Sequence, residues 1–238
     1  MIILYRIYQL LIMAPLLIVV TVIAATLTIV GTMIGFKRTM GYWPGHIWAR
    51  IFCWLSLVRV SVRRETELDS KTSYVFVANH QGAYDIFAIY GYLGHNFRWM
   101  MKKALERIPL VGYACRVAGN IYVDNSSPSA VRATMAKAET QLRGGMSVVV
   151  FPEGSRSSDG KMHPFRRGAF KLAEEFSLPV VPITIDGSYD IMPRRSLIPR
   201  YGHIILTIHA PIYPAGANNR HDMDTLITRS YNTIASSL

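Results

Sequence analysis

The chain predicts an α/β fold: a mostly parallel central sheet flanked by helices, with an N-terminal membrane-anchoring helical motif. Two observations carry this. Residues 7–36 form a run of 30 positions without one charge, longer than the ~20 apolar residues that span a bilayer as a helix. From Glu65 onward, short β-branched runs alternate with amphipathic stretches, the pattern of a sheet built with crossover helices. The expected division is residues 1–64 as anchor and residues 65–238 as the domain that carries chemistry. A length of 238 residues suits one sizeable core plus an anchor better than two full domains. With 50% hydrophobic and 17% charged residues, a disordered chain is excluded.

The first helix is expected over Ile7 to Phe36, ending at Lys37 and Arg38. It is too long for a signal-peptide core, and no small-residue cleavage site followed by a polar start is evident at its end. Pro15 removes an intrahelical bond and is expected to kink it. A turn around Gly41–Gly45 then leads into an amphipathic helix, Trp43 to Val60. That stretch carries Trp43, Trp48, Phe52 and Trp54 among Arg50 and Arg59, a mixture that favours the lipid–water interface. The first 64 residues hold seven basic residues and no acid, out of a net charge of +11 for the whole chain. Positive charge beside the most apolar stretch fits an anionic membrane lipid surface. No nucleic acid is expected, because no zinc-finger or RNP1-type signature accompanies the charge. The flanking basic residues place the rest of the chain on the cytoplasmic face of the cell (inner) membrane, with the first helix expected to cross it.

Strands are expected at Tyr74–Ala78, Asn120–Val123, Ser147–Phe151, Val180–Ile185 and His203–His209, each bounded by Gly, Pro, Asn or Asp. Helices are expected at Tyr84–Tyr92, Pro128–Leu142, Arg167–Phe176 and Asp222–Ala235, the second capped by Ser127 or Ser129. Cys53 and Cys115 give neither a disulfide framework nor zinc spacing. No metal and no cofactor is expected.

Two motifs stand where apolar strands end, the place where α/β sheets present reactive groups. The first is Asn79-His80-Gln81-Gly82-Ala83-Tyr84-Asp85. On one continuous helix, His80 and Asp85 would lie ~140° apart. A strand–loop–helix junction folds the carboxylate back onto the imidazole, with Gly82 expected to help the turn. A histidine so held is a general base of fixed tautomer. The second is Phe151-Pro152-Glu153-Gly154-Ser155-Arg156-Ser157. A glycine, hydroxyls and an arginine at a strand terminus suit a phosphate. It is neither a Walker loop nor a nucleophile elbow. A third stretch, from Met101-Lys102-Lys103 to Gly119–Asp124, holds lysines near spaced glycines. A fourth, Val181-Pro182-Ile183, reads by itself as a core strand.

These four blocks, in this order, resemble the glycerolipid acyltransferase family, over roughly residues 74–185. The resemblance implies His80 as catalytic base and Asp85 as its partner. It implies Glu153, Gly154, Ser155 and Arg156 as the acceptor's phosphate-binding block, and Lys103 or Lys102 as a second phosphate contact. Pro182 matches a block tied to acyl-chain or donor binding. Ala104 stands where a glutamate is frequent, Ser155 for a common threonine, and Asn125 for an arginine. The implied reaction moves an acyl chain from acyl carrier protein or acyl-CoA to the sn-2 hydroxyl of a lysophospholipid, 1-acyl-glycerol-3-phosphate. The alternatives are another lysolipid acceptor, such as a lyso-aminolipid, and a lipid hydrolase using water. A non-catalytic lipid-binding protein is a further alternative, against which the intact His80 and Asp85 argue.

Overall fold

The computed structural model describes residues 2–124, 126–143, 145–214 and 222–238. An N-terminal helix runs as α1 (Ile2–Tyr8), a π-helical turn (Gln9–Met13) and α2 (Ala14–Met33). The wide turn lies immediately before Pro15, where a ring without an N–H is accommodated by local unwinding. A short α3 (Lys37–Met40) reverses the chain into α4 (Trp43–Leu55). Then follow β1 (Val58–Arg64), β2 (Val75–Ala78), α5 (Asp85–Tyr92), β3 (Phe97–Lys102), a 3₁₀ turn (Lys103–Arg107), α6 (Val111–Val117) and β4 (Ile121–Val123). The rest is α7 (Pro128–Arg143), β5 (Ser147–Val150), α8 (Gly168–Glu175), β6 (Val180–Asp186), α9 (Ser188–Ile191), β7 (Gly202–Ile208) and α10 (Asp222–Ala235).

The seven strands form one sheet in the order β1-β7-β6-β2-β5-β3-β4. Every pairing is parallel except β6 with β7, so the expected mostly parallel sheet is present. Strands β2, β5 and β6 read VFVA, SVVV and VVPITID because helices cover both faces and alternation is unnecessary. One face packs on α4 and α5 through Cys53, Ala88 and Ile89. The other packs on α7, α8 and α10 through Ala138, Phe170 and Ile234. Pro182 sits inside β6 where the β7 ladder ends. Its carbonyl accepts from His209 N at 3.0 Å, so the missing proline N–H breaks only the last rung.

Two elements differ from expectation. The helix expected from Trp43 to Val60 ends at Leu55, and residues 58–64 pair with β7 as an edge strand. Its valines face the core while Arg59, Ser61 and Arg63 face out, an alternation of period two that belongs to a strand. Phe97–Lys102 is a strand that the residues did not announce. Its buried Arg98 donates to the carbonyls of Lys37 and Arg38 at 3.0 and 3.3 Å, pinning the turn after α2 to the sheet.

The N-terminal helix lies against the rest of the chain along its length rather than projecting from it. Tyr5 and Tyr8 donate to the carbonyls of Ser56 and Leu55. Gln9 Nε2 donates to Pro199 O at 2.8 Å, and Trp48 Nε1 donates to Thr21 Oγ1 at 2.9 Å. Its outer surface is apolar and uncovered: the span Ile3–Met33 has mean hydropathy 2.7, and only 11% of its most apolar window is buried. Such a surface fits membrane association.

Candidate active site

Strands β2, β5, β3 and β4 end at the same edge of the sheet, because they are parallel. That edge gathers the motifs. β2 delivers Asn79 and His80. Asn79 is locked there, accepting from Ile185 N at 2.8 Å and donating to Ile185 O at 2.9 Å. The chain then loops into α5, whose first residue is Asp85.

The loop brings the imidazole and carboxylate together. His80 Nδ1 lies 2.8 Å from Asp85 Oδ2. The same oxygen accepts the backbone N–H of Gln81 at 2.8 Å and of Gly82 at 3.0 Å. Asp85 therefore shapes the loop as well as holding the ring. Its other oxygen, Oδ1, is buried without a hydrogen-bond partner among the described residues. Since the carboxylate accepts, Nδ1 is the donor in this pair, which in the neutral ring leaves the lone pair on Nε2. His80 also stacks on Phe151, ring centroids 3.9 Å apart and planes 9° from parallel. A ring held on one edge and one face has little rotational freedom, and its side chain is 13% exposed. Gly82 does not serve through its own dihedrals. A Cβ there would meet Ser188 O at 2.3 Å, so glycine permits α9 to approach.

β5 delivers the second block, and the two blocks are stitched together through the backbone. Ser157 N donates to His80 O at 2.8 Å. Glu153 Oε1 accepts His80 N at 2.7 Å, and Oε2 accepts His163 N at 2.8 Å. Glu153 is buried, and burial, its largest influence, pushes its carboxyl above the ordinary glutamate value despite these two N–H donors. Both of its oxygens are committed to the protein's own backbone. The site residue Glu153 thus sits as a brace between motifs, while Arg156 and Ser155 have side chains without protein partners among the described residues.

Gly154 adopts φ +80°, a conformation natural to glycine, and a Cβ there would stand 2.9 Å from Arg166 Cζ. Arg166 is a residue the motif reading missed: it lies past the block's end and is brought back by its N–H, which donates to Pro152 O at 2.9 Å. Gly154→Ala should cost about 1–2 kcal/mol for the left-handed backbone and displace that guanidinium. Urea unfolding of the variant checks this, and an unchanged midpoint would contradict it.

Lys102 ends β3 and Lys103 opens the 3₁₀ turn, two strands from β2 and so about 10 Å away. Lys103 Nζ is 2.6 Å from Asp124 Oδ2. That hydrogen bond raises the lysine's pKa and holds Asp124 well below the usual carboxylate range. Lys102 is exposed at the strand end, with no such partner among the described residues. Asn125 lies outside the described residues. No group of three or more His, Cys, Asp or Glu side chains that could hold a metal occurs among the described residues.

The chain is similar to proteins of known kind. A chloroplastic 1-acyl-sn-glycerol-3-phosphate acyltransferase of Brassica napus is 32% identical over 204 residues, covering 85% of this chain and 57% of the relative. A chloroplastic enzyme of the same name from Arabidopsis thaliana is 31% identical over 231 residues, covering 92% and 63%. The chain thus spans less than two thirds of the length of these plant relatives. The crystal structure of the 1-acyl-sn-glycerophosphate acyltransferase of Thermotoga maritima superposes with a TM-score of 0.77 at 23% identity, covering 98% of this chain and 96% of that one, which establishes the shared fold. The family model described as Acyltransferase matches residues 59–186, from the start of β1 to the end of β6. With both motifs inside that match, and more than half of the 238 residues within it, this chain belongs to the Acyltransferase family.

Proposed function

We propose that this chain transfers an acyl group from a thioester to the sn-2 hydroxyl of 1-acyl-glycerol-3-phosphate, yielding phosphatidic acid for phospholipid synthesis. The observation that carries the reading is the Asp85–His80 pair, joined by backbone hydrogen bonds to the block that holds Arg156. His80 Nε2 takes the proton of the acceptor hydroxyl as its oxygen attacks the thioester carbonyl. Asp85 stabilises the imidazolium. The tetrahedral adduct collapses, the C–S bond breaks, and the imidazolium returns the proton to the departing thiolate. Transfer is direct. Cys53 is buried in the core, which pushes its thiol up to about 12, and Cys115 is likewise raised by burial. Neither is a usable nucleophile. No cofactor or metal enters these steps.

Arg156, with Arg166 over Gly154 and the lysines at the next strand ends, clamps the phosphate and so fixes the hydroxyl near His80. Arg156→Ala is expected to raise the acceptor KM by about 10- to 100-fold, the loss of one charge-assisted bidentate contact, with a smaller effect on the donor KM. Steady-state kinetics with varied lysophosphatidate checks it; an unchanged acceptor KM removes the clamp.

The donor is acyl carrier protein or acyl-CoA, both anionic, and the basic chain suits either. The N-terminal helix is proposed to lie within one leaflet of the cell membrane, on its cytoplasmic face, rather than to cross it. What supports this is that the domain holds the helix near its start, where Gln9 donates to Pro199 O, and just past its end, where Arg98 donates to Lys37 O: a helix tied to the domain at both ends cannot carry one end to the opposite surface. A lipid acceptor then reaches the site without leaving the bilayer.

A further inference from the structure

Between α9 and β7 the chain makes a loop, Pro193–Tyr201, that the reaction does not use. It contains Arg194, Arg195 and Arg200 and no acid. Leu197 at its tip is 90% exposed, with Ile198 at 51% and Tyr201 at 60%. These are large apolar groups in water with no role in the core. The loop is nevertheless braced. Ser196 N donates to Pro193 O at 3.0 Å, Arg200 N donates to Ile191 O at 2.9 Å, and Ser196 Oγ donates to Ile198 O at 2.9 Å. These bonds fix the loop's form, so its exposed tip is held out from the fold.

Both ends of the loop touch something of consequence. At one end, Pro193 bridges Gly82 in the His80 loop, Ala83 N donates to Met192 O at 3.0 Å, and Arg194 Nη1 donates to Arg156 O at 3.4 Å. At the other, Pro199 O accepts from both Gln9 and Arg6 of the N-terminal helix, and Tyr201 packs edge-on against Tyr5, centroids 5.4 Å apart. Ile3, Leu4, Trp54 and Leu57 are exposed on the neighbouring elements. The end of the loop therefore abuts the helix surface assigned to the bilayer, one residue from exposed Ile198 and two from Leu197, and arginines beside such a surface suit lipid headgroups.

We propose that Pro193–Tyr201 is a second lipid-contacting element. Leu197 and Ile198 enter the headgroup–acyl boundary of a membrane containing anionic lipid, and the loop carries that contact directly to the His80 and Arg156 blocks. The inference rests on the bilayer reading of the N-terminal helix, and it adds a contact that sets the height of the active-site mouth above the lipid.

The test uses the full chain in a Cys115→Ser background, with Leu197→Cys labelled by an environment-sensitive fluorophore. Added to phosphatidylcholine–phosphatidylglycerol vesicles, the label should shift to the blue and be quenched more by shallow than by deep spin-labelled lipids. The same label at Lys71→Cys, on the opposite edge of the sheet, should stay water-like. Water-like emission at position 197 overturns the proposal. So does a shift produced by acyl carrier protein alone and not by vesicles. In a second arm, the Leu197→Asp, Ile198→Asp variant should raise KM for vesicle-borne lysophosphatidate by roughly tenfold, the loss of two partly inserted aliphatic groups. Its kcat toward a short-chain, freely soluble lysophosphatidate should not change. Equal KM on vesicles overturns the proposal. Absence of acyl transfer by the unaltered chain in both assays would instead strike the proposed reaction, while the fluorescence still reports the loop.

Discussion

Replacing His80 with alanine is expected to lower kcat by roughly 10³-fold, the range of a positioned general base, with little loss of fold. Without the ring, Asp85 Oδ2 still accepts the backbone N–H groups of Gln81 and Gly82. The backbone bonds of residue 80, N–H to Glu153 and C=O from Ser157, do not need the side chain. Thermal unfolding should therefore stay near that of the unaltered chain while turnover collapses. Acceptor KM should move little, because the phosphate is held by other residues. Single-turnover measurement of thiol release, alongside unfolding, separates the two effects. Near-normal turnover with a normal fold would remove His80 from the mechanism.

Asp85 supplies the second large effect, and its two oxygens allow charge to be separated from shape. In Asp85→Asn, the amide oxygen can take the place of Oδ2 and accept from Gln81, Gly82 and His80 Nδ1. The NH₂ then occupies the position of Oδ1, which no partner contests. The loop keeps its form, but the imidazolium loses its counter-charge, and kcat should fall about 10²- to 10³-fold. Asp85→Ala removes an acceptor from three donors at a fully buried position. It should destabilise the protein by about 3 kcal/mol or more as well as inactivating it. Chemical denaturation and kcat, measured on both variants, check this. Equal stability losses in Asn and Ala would contradict the role given to Asp85 in shaping the loop.

Much of this arrangement was legible because local chemistry and topology agree. The runs YVFVA, SVVV and VVPITI could be read as strands without their partners. His80 and Arg156 both follow such runs, so a parallel sheet necessarily puts them at one edge. Residues 58–64 were less readable. An apolar, aromatic stretch followed by alternating Val and Arg fits an interfacial helix as well as an edge strand, and only the long-range pairing to β7 decides between them. β3 was hidden for a related reason: Arg98 and Lys102 make FRWMMK look amphipathic, and nothing nearby says that Arg98 is buried against carbonyls 60 residues earlier. Glu153 shows the limit of motif reading. Its place in the block suggested substrate, but its neighbours in space are two backbone N–H groups, one of them 73 residues away. Arg166 escaped notice because its relation to Gly154 arises from a loop closure that no spacing rule encodes.

In the proposed reaction, the His80 site passes the acyl group directly to a lysophosphatidate hydroxyl. The most direct measurement follows purified full chain in lipid vesicles, supplied with 1-acyl-glycerol-3-phosphate and a thioester donor carrying an isotopically labelled acyl chain. Mass analysis then reads lipid, free fatty acid and protein together. The account predicts one labelled phosphatidic acid for each thiol released, with no label on the protein at any time. Labelled free fatty acid in place of diacyl lipid, or a labelled acyl-enzyme that forms and decays at the turnover rate, would contradict it.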